Sequence, residues 1–261
     1  MQFSRKHLGI PYAAFLILFV VAPLLVLFFY AFTDGQGQFT LYNFLHFFTN
    51  PNTLGTLYYS LVIAMVTTAV CLLLAYPVAY FLATSGMRLK SVVLMLFILP
   101  MWINFSLRIT ALKEILSVLE GNLAMHPFLN AIIGMTYAFL PFMILPIYTT
   151  ITRLDVALRE AAMDLGANKV QTFLRVTLPL SMPGIISGVS MVFLPAMTNY
   201  VVLDMLYNST YIMGSLIGSY FSAYNWNGGS MISLILLAMI CIFTLLTREE
   251  DQERSEGGAL L

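Results

Sequence analysis

Glu160 to Pro179 reads EAAMDLGANKVQTFLRVTLP, a polar and charged stretch inside a chain that is otherwise strongly apolar. Local rules divide it into two short helices. Asp155, just upstream, is suited to cap the first one, since a carboxylate there can accept from the free N–H groups of the opening turn. Leu154, Leu158, Ala161 and Leu165 recur at three- and four-residue spacing and form one apolar face. Arg159, Glu160 and Asp164 fall largely off that face. Gly166 suits the left-handed position that ends an α-helix. Asn168 and Gln171 have the spacing of a capping box that opens a second helix, faced by Val170, Phe173, Leu174 and Thr177. Pro179 disfavours helical geometry at the residue before it, so the second helix is predicted to stop near Leu178. On these residues alone the hairpin suits either an interfacial amphipathic linker packed under a helical bundle or a surface that another molecule engages.

The rest of the 261-residue chain is 60% hydrophobic and 9% charged, against roughly 25% charged residues in an ordinary soluble domain. Such a surface needs the bilayer as much of its solvent. A spanning helix takes about 20 apolar residues, because about 30 Å of hydrocarbon is crossed at 1.5 Å per residue. Six segments qualify: 9–32, 58–83, 91–112, 128–150, 183–204 and 230–247. Arg5, Lys6 and His7 precede the first, which is long enough to span and is expected to be retained rather than cleaved as a signal peptide. The segment after Thr247, REEDQERSEGGALL, is expected to be a solvated cytoplasmic tail, 248–261, with no fold of its own.

The cations set the orientation. With the N-terminus inside, ten lie in inside segments (Arg5, Lys6, Arg88, Lys90, Arg153, Arg159, Lys169, Arg175, Arg248 and Arg254) and two, Arg108 and Lys113, lie outside, which accounts for all 12 Lys and Arg. Both termini and the polar hairpin then face the cytoplasm. Pro23, Pro77, Pro100, Pro141, Pro146 and Pro195 punctuate the spans. Each removes a helical hydrogen bond, as suits either simple packing kinks or a bundle bent around a pathway. The formal net charge is zero, so there is no basic field for nucleic acid. Cys71 and Cys241 lie in apolar segments and read as buried, inert thiols.

The hairpin also carries a family resemblance. Glu160-Ala161-Ala162, then Gly166, then Val176-Thr177-Leu178-Pro179 match the spacing of the EAA loop of ABC importer permeases, with Val in place of the usual Ile. The chain resembles these permeases, so an all-α membrane protein is expected: a six-span, MetI-like type I importer permease with a cytoplasmic coupling-helix hairpin. The resemblance implies that the first short helix seats in a cleft of an ATPase subunit, with Glu160 in polar contact, Ala161 and Ala162 permitting close approach, and Gly166 setting the turn. It extends to Leu99 to Asn104, Phe139 to Met143, Glu160 to Ile186 and Leu194 to Met197, which look like the first permease subunit of the spermidine/putrescine importer. That implies a second permease subunit, two copies of an ABC ATPase that bind the ATP and Mg, an extracytoplasmic polyamine-binding protein, and a bacterial cytoplasmic membrane location. The chain itself lacks a G-x-x-x-x-G-K-[ST] phosphate loop, so no cofactor is expected in it.

A polyamine path needs acidic groups and aromatic faces. Asp204, about 21 residues after Pro183 and so roughly 30 Å along a straight span, is one candidate; the alternative is an interfacial aspartate facing water. Trp102 aligns with a path-lining tryptophan of the family; the alternative is an interfacial belt residue. Arg108 and Glu114 are expected near the outer end of the third span. The aromatic-rich loop 205–229, with Tyr207, Tyr211, Tyr220, Phe221, Tyr224 and Trp226, is expected at the interface plane, closing the mouth or receiving the binding protein. Within it, Asn208-Ser209-Thr210 is a formal glycosylation acceptor, read as chance. Three other readings stand beside this one. The same architecture could carry an oxyanion, ferric iron or an aminophosphonate. A stand-alone secondary transporter would show inverted repeats and midplane ionisable residues. An intramembrane enzyme would need a clustered constellation, whereas His7, His46 and His126 are scattered.

Overall fold

Apolar residues fill every face of the helix over Pro11–Ala31 (α1), and the chain itself buries none of its most apolar stretch, as expected of a helix whose solvent is lipid. The computed structural model describes residues 5–206 and 211–257, so Tyr207 and the Asn208–Thr210 acceptor lie outside the described residues. Helices follow at Tyr42–Thr49 (α2), Pro51–Thr84 (α3), Lys90–Trp102 (α4), Phe105–Glu120 (α5), Pro127–Arg153 (α6), Val156–Asp164 (α7), Lys169–Leu180 (α8), Met182–Thr198 (α9), Tyr200–Met205 (α10), Met213–Ser222 (α11) and Trp226–Gly257 (α12). Among the described residues the sole β-pairing is an isolated bridge between Thr33 and Phe39. Among the described residues four helices are long and apolar enough to cross a membrane. Two further pairs, α4 with α5 and α8 with α9, are bent by 101° and 62°, and counting each pair as one span gives six.

The structure departs from straight spans in several places, each with a local cause. The span expected over 91–112 is broken. A 3-10 turn at Leu99–Trp102 contains Pro100, and Asn104 then caps α5 by accepting from the Leu107 N–H at 3.3 Å. The helix expected to stop at Leu178 runs on to Leu180. Its Phe173–Thr177 segment is a π-helical turn in which the Leu178 N–H reaches back to the Phe173 carbonyl. That wider register carries the chain past Pro179, which has no N–H and would crowd a regular α-helix. A second π-turn, Ile17–Val21, precedes Pro23 in the same way. The expected fifth span is also divided, ending at Thr198 before Asn199 leaves helical geometry (φ −79°, ψ 88°). The last helix continues to Gly257, so the segment expected to have no fold is helical up to there. A helix already nucleated in an apolar span extends at one bond per residue, and Arg, Glu and Gln propagate it readily.

The chain divides into two units, 1–57 with 213–242, and 58–212 with 243–261. In the first, Asn227 ties down the end of α1: its Nδ2 donates to the carbonyls of Tyr30 at 3.0 Å and Thr33 at 2.7 Å, groups that a helix terminus leaves unpaired. Asn43 adds a donation to the Thr33 carbonyl at 3.1 Å. The loop expected over 205–229 contains helix α11, and Phe221 and Tyr30 both lie against Trp226, with ring centroids 5.5 and 6.4 Å away. The turn into α12 is close: a Cβ on Gly228 or Gly229 would meet the Tyr220 or Phe221 ring. An apolar cavity of about 600 Å³ lies between the phenylalanines of α1 and α2 and Leu234 to Ile242 of α12. Cys241, also expected to be buried, lines it and is exposed, whereas Cys71 is buried as expected.

In the second unit the core is a seam of small and branched residues. Ile63, Ala64, Cys71, Ala75 and Ala79 of α3 are fully buried, as are Ala131, Met135, Met143, Ile144 and Ile147 of α6. Small residues at such seams let backbones approach where lipid supplies no hydrophobic drive between helices. α6 also packs closely against α9. A Cβ on Gly184 would lie 2.6 Å from Thr150 Oγ1 and 2.7 Å from the Pro146 carbonyl oxygen, and one on Gly188 would lie 2.6 Å from Met143 Sδ. Leu73, Leu74 and Phe81 on other faces of α3 are exposed, the surface the bilayer would cover.

Candidate functional site: a capped helical hairpin

The α7–α8 hairpin is built from local signals. Asp155 accepts from the Ala157 N–H at 2.9 Å and opens α7. At the other end Gly166 has φ +88°. Its N–H donates to the Met163 carbonyl at 2.9 Å, and the Ala167 N–H donates to the Ala162 carbonyl at 3.1 Å. These two bonds form a Schellman motif and satisfy carbonyls that the helix end leaves free. Asn168 and Gln171 then exchange side-chain and backbone hydrogen bonds, both 2.9 Å, and start α8. Nothing lies within 4 Å of a Cβ on Gly166, so the demand for glycine there comes from backbone conformation alone. Gly166→Val is expected to loosen the turn by about 1–2 kcal/mol, because a branched side chain disfavours the left-handed region. Faster amide exchange over Leu165 to Asn168 would report it. Gly166→Asn, a residue tolerated at this position, should stay near wild type.

The faces of the hairpin differ from those its periodicity suggests. No residue of α7 is buried. Leu158 and Met163 are exposed, and Leu165 is 90% exposed, so the apolar face of α7 is not packed under its own chain. Glu160 and Ala161 are exposed beside it and Ala162 is half-buried. In α8 the buried residues are Thr172 and Thr177, while Val170 and Leu174 face outward; the π-turn rotates the face. Phe173 is the ring that holds α8, edge-on to Tyr76 at 5.7 Å and Tyr80 at 5.2 Å.

The four hairpin residues Glu160, Ala161, Ala162 and Gly166 fall together on one projecting element. Trp102 and Asp204 sit on separate elements. Trp102, 88% exposed, ends α4 at the 101° bend. Asp204 is exposed on α10, whose Val202 and Leu203 are buried where α10 packs against α5 and α6. Because the fifth span breaks at Asn199, the depth of Asp204 cannot be counted along one straight helix from Pro183. Arg108, expected near the outer end of the third span, is 6% exposed, with its guanidinium carbon 5.7 Å from the Phe105 ring and 5.9 Å from the Tyr137 ring. Its Nε and Nη1 are buried without a hydrogen-bond partner, so the aromatic faces are its compensation. Among the described residues no group of His, Cys, Asp or Glu could hold a metal. Three features escaped the sequence: the Phe173 contact, the bond from Tyr76 to Ser181, and the Gly184–Gly188 seam. The last carries a legible signal, the small-xxx-small spacing of close membrane helices; the other two carry none.

These helices and this exposed hairpin describe a multi-pass helical membrane protein. Residues 73–248 match the binding-protein-dependent transport system inner membrane component family, and the chain belongs to that family. It is 36% identical to the spermidine/putrescine transport system permease protein PotB of Haemophilus influenzae, over 92% of this chain and 91% of that protein. Against PotB of Escherichia coli K12 the identity is 36% over 88% and 92%. A PotB homolog of Mycoplasma genitalium is 30% identical over 69% and 68%. Among solved structures, a chain of a bacterial ABC transporter involved in import of the acidic polysaccharide alginate superposes with a TM-score of 0.68 over 94% of both chains at 16% identity. The alginate transporter in complex with a pentasaccharide-bound periplasmic protein gives 0.70 over 95% and 93% at 14% identity. At these identities the likeness is one of fold.

Proposed function

We propose that the chain is one of two permease subunits that form the path of an ATP-driven importer for spermidine and putrescine in a bacterial cytoplasmic membrane. The observation that carries this is the α7–α8 hairpin, capped at both helix starts and presenting Leu158, Met163 and Leu165 as exposed apolar side chains. Exposed apolar surface rimmed by charge marks an interaction site. The permease relatives support the class of cargo. The periplasmic protein in the alginate complex supports a binding-protein partner outside. The positive-inside bias supports a cytoplasmic hairpin and cytoplasmic termini. Two ATPase copies bind ATP and Mg, and this chain performs no hydrolysis. Closure of the ATPases on ATP moves the hairpins and shifts the spans between inward and outward access. Trp102 supplies an aromatic face to the polycation and Asp204 a carboxylate, and the partner permease supplies much of the remaining acidic lining.

The test is reconstitution of the chain with its partner permease, ATPase and binding protein in proteoliposomes. ATP-dependent uptake of labelled spermidine is expected, abolished when the ATPase is omitted. Uptake that persists without it would show a secondary transporter. A binding protein that ignores polyamines but holds an oxyanion, ferric iron or an aminophosphonate would keep the architecture and change the cargo.

A further inference from the structure

The hairpin meets α3 at its junction with the membrane core. Ser181 is the residue at the 62° bend between α8 and α9, and it is fully buried. Its hydroxyl lies 2.8 Å from that of Tyr76 on α3 and donates to the Leu178 carbonyl at 2.9 Å. Tyr76, 9% exposed, also presents its ring to Phe173 eight residues before Ser181, and Tyr80, one turn further along α3, touches the same ring. Two points on α8, one at its π-turn and one at its end, are therefore fixed to a single stretch of α3. On the far side of the bend, Gly184 seats α9 against the α6 backbone with no room for a side chain, and Gly188 lies against Met143. The bend is pinned on both sides, by a directional hydrogen bond on the hairpin side and by backbone approach on the span side.

We propose that Tyr76 is a positioning residue that sets the angle at which the hairpin leaves α9, so that displacement of α7 is delivered to α3 and α9 rather than lost by flexing at Ser181. The proposal rests on the reading of the hairpin as the ATPase dock. Two side chains two turns apart in α8 define an orientation where one would define only a point. The hydroxyl pair also fixes the rotation of α8 about its own axis, which ring packing alone leaves free.

Tyr76→Phe tests this, because it keeps the ring on Phe173 and leaves the Ser181 hydroxyl its bond to Leu178, so no buried donor is stranded. In the reconstituted complex the ATPase is expected to copurify with the variant as with wild type. Spermidine taken up per ATP hydrolysed should fall about two- to tenfold, the weight of one buried hydrogen bond. Ser181→Ala should lower it at least as far, because it leaves the buried Tyr76 hydroxyl without its partner, and the double variant should be no worse than the more affected single one, as for two ends of one interaction. A wild-type ratio in Tyr76→Phe, or losses that add, overturns the proposal. Failure of Tyr76→Phe to copurify with the ATPase assigns the residue to assembly and also overturns it. A wild-type complex without ATP-driven uptake would instead overturn the proposed function, and this role with it.

Discussion

Glu160→Lys is expected to abolish substrate-stimulated ATP hydrolysis in the reconstituted complex. Glu160 lies in the middle of α7, exposed beside the uncovered Leu158 and Ala161. Reversing a charge in a docked polar contact costs about 2–5 kcal/mol, which at 1.4 kcal/mol per tenfold is a loss of roughly 30-fold or more. The helix itself should survive. Lys propagates a helix as well as Glu does, and the change turns a like-charge pair with Asp164, four residues on, into an opposite-charge one worth about 0.2–0.5 kcal/mol to the helix. A drop in coupling therefore could not be blamed on a melted α7, and unchanged circular dichroism beside lost stimulation is the expected pair of results. Stimulation at the wild-type level in Glu160→Lys would remove the hairpin from its assigned role.

The contrast between what was legible and what was not follows from the range of each interaction. Asp155, Gly166, Asn168 and Gln171 act within two to five residues of their own position, so their caps could be read from spacing, and the hairpin has the shape they predict. The apolar face of α7 was legible as a pattern, but periodicity reports that a face is apolar and not what covers it. Leu165 was placed on that face and is 90% exposed. The pre-proline rule at Leu178 failed because a π-turn gave the chain another way past Pro179, a competition that no residue in the stretch announces. The break before α5 was within reach, since Pro100 and a capping Asn104 stand four residues apart inside one apolar run. Tyr76 and Ser181 are 105 positions apart, and no local rule pairs them. Trp102 and Asp204 remain candidates from resemblance and chemistry, and their exposure leaves both accessible to a cargo or a partner.

The second large effect is expected at the seam rather than at the dock. Gly184→Leu should destabilise the protein by about 3 kcal/mol or more. Even the first added carbon would lie 2.7 Å from the Pro146 carbonyl oxygen. A backbone oxygen cannot rotate away as a side chain can, so α6 and α9 must part along their contact. At roughly 2–4 °C per kcal/mol for a chain near this size, the thermal midpoint in detergent should fall by about 6–12 °C. Gly188→Ala is the matched control. Its Cβ would meet Met143 Sδ, the end of a side chain with three rotatable bonds that can yield, and alanine favours the helix over glycine by about 1 kcal/mol. The midpoint of Gly188→Ala should stay within about 2 °C of wild type, by the same conversion. If Gly184→Leu also stays there, α6 and α9 do not approach as closely as the structure has them. The bend at Ser181 would then lose its support on the span side, and Tyr76 alone would have to hold the hairpin's angle.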